Sequence, residues 1–105
     1  MNQLILNTLS PTDRPVYYMT YSGTESEYII FNWWSTPLAF ADNLEKQENV
    51  TIQIDIFSKG DFTDLIEQVK QLMVDADFMK VHEGSGNFIE DANLFRKTLR
   101  YSYSK

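Results

Sequence analysis

The one histidine, His82, lies next to Glu83 and two residues from Lys80, a trio that offers a general base or a metal ligand. A catalytic histidine acts through partners, and no serine elbow, HExxH pattern or paired-histidine spacing accompanies it. The plainer reading is a polar residue at a strand end. Gly84-Ser85-Gly86-Asn87 is rich enough in glycine to aim amides at an anion, but it lacks the Lys-Ser/Thr that completes a phosphate loop, so a hairpin turn is expected there. Carboxylates pair as Glu25 with Glu27, Asp61 with Asp64, Asp75 with Asp77, and Glu90 with Asp91. Such pairs bind an ion or divide acid and base roles only where they converge in a pocket, and each falls in an expected turn or helix end. The acidic stretch Asp42 to Glu48 is the first place to look for an ion. No catalytic residue, cofactor or metal is assigned from these residues.

Trp33 and Trp34 are adjacent, so on one strand they point to opposite faces, one into the core and the other toward an interface. Aromatic platforms for single-stranded nucleic acid combine such residues with a basic groove, whereas this chain has a net charge of −6 and a pI near 4.6. That balance disfavours general affinity for phosphates. The charge is unevenly placed: residues 1–93 hold all fifteen acids and five of the nine bases, and residues 94–105 hold Arg96, Lys97, Arg100 and Lys105 without an acid. Oppositely charged surfaces of this kind suit head-to-tail contacts between copies, although solvated basic residues beside acidic loops are the simpler account.

These side chains need elements to hold them. In Val50 to Phe57, Val50, Ile52, Ile54 and Ile56 alternate with Thr51, Gln53 and Asp55, the period of a strand with one buried face, and this strand is placed at the centre. From Asp61 the period changes: Phe62, Leu65, Ile66, Val69, Leu72 and Met73 form the apolar stripe of a helix, with Asp61 as N-cap and Asp64 in the first turn. It ends near Asp75 or Asp77. Residues 2–9 predict a short helix stopped by Ser10-Pro11. Val16 to Tyr21 and Tyr28 to Trp34 predict a hairpin turning at Ser22 and Gly23. Ser35 to Asn49 has no clear period and reads as a long loop. Phe78 to Glu83 predicts a short strand, and Leu94 to Tyr103 a final one.

The fold class expected is α+β: an antiparallel or mixed β-sheet with one main amphipathic helix and a short N-terminal helix packed on one face. Length and the absence of repeats or linkers predict one domain over residues 1–105. The chain has no cysteine, which removes disulfides and thiolate chemistry. Its first ten residues do not resemble a signal peptide, and no apolar run spans a bilayer. The Asn49-Val50-Thr51 sequon therefore carries no weight.

Glu27-Tyr28-Ile29-Ile30-Phe31, Phe40-Ala41-Asp42-Asn43 and Ile52-Gln53-Ile54-Asp55-Ile56-Phe57-Ser58-Lys59 resemble the tail-terminator or tail-completion proteins of long-tailed bacteriophages and prophages of Gram-positive bacteria. The likeness continues through Ala76-Asp77-Phe78, Phe88-Ile89-Glu90-Asp91 and Asn93-Leu94-Phe95-Arg96-Lys97 to Leu99-Arg100-Tyr101-Ser102-Tyr103. It departs at Asp77, where the family favours Gly, and at Arg96, where it favours His. The resemblance implies a structural protein, not an enzyme, that assembles into a ring, commonly a hexamer. The ring ends the tail tube, joins it to the head connector and lets DNA through its lumen, in the virion tail after assembly in the host cytoplasm. The implied partners are other copies of the chain, the tail tube protein and the connector, with no membrane and no sequence-specific nucleic acid. The expected interface residues are Trp34, Phe40, Asp42, Asn43, Asp55, Arg96, Lys97 and Arg100. A small acidic host-interaction or inhibitory protein, and a metal-dependent enzyme using His82, remain as alternatives.

Overall fold

A computed structural model describes residues 1–20, 23, 25–37 and 48–104. Two helices, α1 (Asn2–Leu9) and α2 (Thr63–Asp75), pack on one face of a six-stranded mixed sheet. Its strands are β1 (Val16–Tyr18), β2 (Glu27–Pro37), β3 (Glu48–Ser58), β4 (Met79–Glu83), β5 (Asn87–Ile89) and β6 (Leu94–Ser104). The order is β1-β2-β3-β6-β4, and β5 lies beyond β4 along the same side of β6. The α+β expectation is met.

β3 is the middle strand, antiparallel to β2 on one side and to β6 on the other. Its alternation drives the core: Val50, Ile52, Ile54 and Ile56 are fully buried, flanked by Ile29 and Phe31 of β2 and by Leu99 and Tyr101 of β6. Ile5 and Leu9 of α1 and Leu65, Val69 and Met73 of α2 cover them. Each buried isoleucine is worth about 1.5–3 kcal/mol of transfer free energy. Trp33 points to the same side, and its indole Nε1 donates to Asn2 Oδ1 at 2.5 Å, which fixes the start of α1 over β2.

Four sequence expectations change. The first two strands are not a hairpin: β1 runs parallel to β2, Val16 opposite Ile29 and Tyr18 opposite Phe31. Composition marks strands and turns but not direction, and a three-residue strand needs only about 10 Å of return to restart in the same sense. The unpatterned stretch is shorter than expected, because β2 and β3 continue their ladder to Pro37 opposite Glu48. Gly84-Ser85-Gly86-Asn87 is not a hairpin turn. β4 and β5 follow β6 in the same direction and residues 84–86 interrupt that line, where Gly84 N donates to Thr98 O at 2.9 Å. The reversal comes at residues 90–93, closed by Asn93 N on Glu90 O, with Asn93 left-handed at φ 56°. Finally, Asp61 stands one residue before the N-cap, Phe62; its Oδ1 accepts from the Thr63 amide at 3.0 Å and the Thr63 hydroxyl at 2.7 Å.

α2 is closed just past Ala76 by a left-handed residue, Asp77. Asp77 is left-handed at φ 68°, Asp77 N donates to Val74 O at 3.0 Å, and Phe78 N donates to Met73 O at 3.1 Å. This paired 5→2 and 6→1 closure places the buried Phe78 in the same core cluster as Met73. An aspartate there bears a side-chain clash that glycine lacks. Asp77→Gly is expected to raise unfolding stability by up to about 1 kcal/mol, and a lowered urea midpoint would contradict the left-handed cap. In the same assay Ile54→Ala is expected to cost about 2–5 kcal/mol, while Thr51→Ala, on the opposite face of β3, stays within about 0.5 kcal/mol.

Candidate interaction face

The alternation that buries one face of the sheet leaves the other without a helix among the described residues. Four cross-strand rows occupy it: Tyr17, Ile30, Asp55 and Thr98; Tyr28, Phe57, Arg96 and Asn87; Asn32, Gln53, Arg100 and His82; and Trp34, Thr51, Ser102 and Met79. Tyr17, Trp34 and Met79 are 47%, 39% and 65% exposed. Exposed aromatics and methionine held on a rigid sheet are the side chains that supply anchor contacts to a partner.

Polar side chains tie the rows to one another. Asp55 accepts from Thr98 Oγ1 at 2.5 Å and from Gln53 Nε2 at 3.2 Å, and Gln53 Oε1 accepts from Arg100 Nε at 3.0 Å. The Arg100 guanidinium lies 5.9 Å from the centre of the Trp34 ring, a cation–π arrangement. Ser102 Oγ donates to Asn49 Oδ1 at 2.6 Å, and the rings of Tyr28 and Phe57 stack with centres 4.9 Å apart. Asp55 is thus held by neutral donors. Among the described residues no carboxylate pairs with Arg96 or Arg100, and the Arg96 Nε is buried without a protein acceptor.

Of the residues expected at an interface, Trp34, Asp55, Arg96 and Arg100 come together on this face. Lys97 does not. As the neighbour of Arg96 on one strand it points to the helix side, with its Nζ 3.1 Å from Glu83. Phe40, Asp42 and Asn43 lie outside the described residues, as does most of the acidic stretch Asp42 to Glu48. Tyr17 and Met79 join the face without having been expected. Their place depends on the direction of β1 and on the pairing of β4 with β6, which no local pattern encodes.

His82 and Glu83 also part. His82 is opposite Arg100 on the uncovered face, and Glu83 is opposite Leu99 on the helix side, so the two do not form one site. Glu83 instead collects three lysines, with Lys80 at 2.7 Å, Lys97 at 3.1 Å and Lys70 of α2 at 3.3 Å. Their ammonium groups hold its carboxyl down at about 2, the Lys80 hydrogen bond contributing most and that of Lys97 next. Beneath α2 the Tyr101 hydroxyl is buried, and burial pushes it up to about 12. At the far side of the molecule a cleft of about 750 Å³ runs between the end of α1 and the start of β2. Within it Arg14 Nε donates to Glu27 Oε1 at 2.7 Å, and Ser58 Oγ donates to Glu27 Oε2 at 2.9 Å. No cluster of metal-ligating side chains occurs among the described residues.

No protein-family model matches the sequence, and no curated protein does. Among solved structures the chain is similar to one from the virion of a native gene transfer agent particle, at 11% identity with a TM-score of 0.61, covering 95% of this chain and 82% of that one. A second solved structure, whose name states no activity, is 14% identical with a TM-score of 0.59, covering 99% of this chain and 94% of the other. At such identities the likeness is one of fold.

The Glu83 cluster generates a pH dependence. The folded carboxyl titrates below its ordinary 4.5, so the stability it contributes is complete above pH 4.5 and is lost as pH falls toward 2. Glu83→Gln is expected to lower the Tm at pH 7, with the gap from the wild type closing between pH 4.5 and 2. A gap that stays constant over that window in circular-dichroism melts refutes the role of the cluster.

Proposed function

We propose that this chain is a non-enzymatic structural protein of a phage-like virion, acting as a ring at the end of the tail tube. The ring, a hexamer, stops tube polymerisation and presents the surface to which the head connector joins, and DNA passes through its lumen. Its place is the tail of the virion, reached after assembly in the host cytoplasm. The observation that carries this reading is the fold shared, over 95% of this chain and 82% of the other, with a protein of a gene transfer agent virion. The tail-terminator resemblance of the sequence agrees with it.

The distribution of chemistry supports the same reading. His82, the side chain best suited to catalysis at neutral pH, stands apart from Glu83 across the thickness of the sheet. The uncovered face is broad, aromatic and internally hydrogen-bonded, which is what a rigid protein-binding surface requires. A ring needs two complementary surfaces on each protomer rather than a pocket.

Electron microscopy of particles assembled without this protein tests the proposal. Tails of abnormal length, or heads and tails left apart, are the expected result. Normal joined particles overturn it.

A further inference from the structure

We infer that the uncovered sheet face receives the outer surface of α2 from a second copy of the chain, a head-to-tail contact that rests on the ring reading and names its two surfaces. The inference starts from charge. The chain is acidic overall, yet its uncovered face holds Arg96 and Arg100 with no carboxylate partner among the described residues. Among the described residues an acidic stripe lies on the opposite side of the sheet, on α2. α2 buries Leu65, Val69 and Met73, and by helical geometry Asp64, Glu67, Gln71, Val74 and Asp75 then share the outward stripe.

Within that stripe Glu67 is 3.1 Å from Lys70, whereas Asp64 and Asp75 make no ion pair among the described residues; Asp75 Oδ1 accepts from the neutral Gln71 Nε2 at 2.9 Å. Asp75 is also badly placed for its own helix. It lies in the last turn, where the backbone carbonyls already carry partial negative charge, and no basic residue accompanies it there. An external cation relieves this.

The spacing fits. Asp64 and Asp75 are eleven residues apart, about 16 Å along a helix; Arg96 and Arg100 are four apart on β6, about 13 Å along a strand. The difference is within the reach of two arginine side chains. The apolar neighbours select the orientation. Val74, 55% exposed, is beside Asp75, and Trp34 is beside Arg100, so Asp75 meets Arg100 while Val74 meets Trp34, and Asp64 meets Arg96. The two surfaces differ, so the contact is heterologous and propagates until the rotation closes a ring.

Charge exchange tests it. R96E/R100E makes both surfaces acidic and D64R/D75R makes both basic, so each variant alone is expected to self-associate at least tenfold more weakly than the wild type by sedimentation, with an unchanged circular-dichroism spectrum. An equimolar mixture of the two restores assembly, as does the chain carrying all four changes, and wild-type assembly weakens with added salt. Restoration in the mixture excludes misfolding as the cause of the loss. A monomeric wild type, or variants that assemble as it does, overturns the contact. Closed rings in every variant keep the ring and overturn this interface, while mixtures that grow only as open chains support the interface and overturn the ring. Oligonucleotide binding lost in R96E/R100E, without self-association of the wild type, assigns the arginines to phosphate and overturns the inference.

Discussion

Everything in this fold depends on one asymmetry, the burial of a single face of β3. Four β-branched side chains at alternate positions, Val50, Ile52, Ile54 and Ile56, are withdrawn completely from water. β2 and β6 must flank them with Ile29, Phe31, Leu99 and Tyr101, and both helices must lie on that side to close the core. The pleat then forces Thr51, Gln53, Asp55 and Phe57 outward, and with them every matching position of β2 and β6. The uncovered face is thus the geometric complement of the core. A register slip of one residue would exchange the two.

How far the sequence can be read follows from what kind of information each feature carries. The central strand, α2 and the last strand are written as periods, and α1 as a short apolar stretch stopped by Ser10-Pro11; the structure has all four there. The left-handed end of α2 is written as a departure, Asp77 where glycine is favoured, and φ is 68° there. What the sequence does not write is pairing. The parallel course of β1, the extension of β2 and β3 to Pro37 and Glu48, and the shared alignment of β4 and β5 along β6 all come from contacts between distant segments. The candidate surface inherits this division. Trp34, Asp55, Arg96 and Arg100 share a face because alternation within single strands already sorts them, while Tyr17 and Met79 reach it only through pairing. Lys97 follows Arg96 directly, so the alternation of β6 turns it to the opposite face, where it meets Glu83.

The same face explains why so little sequence need be shared with a protein of similar fold. At 11% identity the gene transfer agent chain shares the fold over 82% of its length. A core of this kind asks for apolar volume at alternate positions, which many residue combinations satisfy. A flat partner-binding surface asks only for complementarity to its neighbour, and the two can change together.

The outer edge of the sheet beyond β6 is broken twice. β4 changes register between Lys80 and His82, and residues 84–86 separate it from β5, so five residues and then three replace one long strand. Lys80, tied to Glu83, places a charge near the start of the first piece. A kinked, charged and interrupted edge is a poor template for another strand. Such an edge guards the chain against the unlimited edge-to-edge stacking that leads to fibrils.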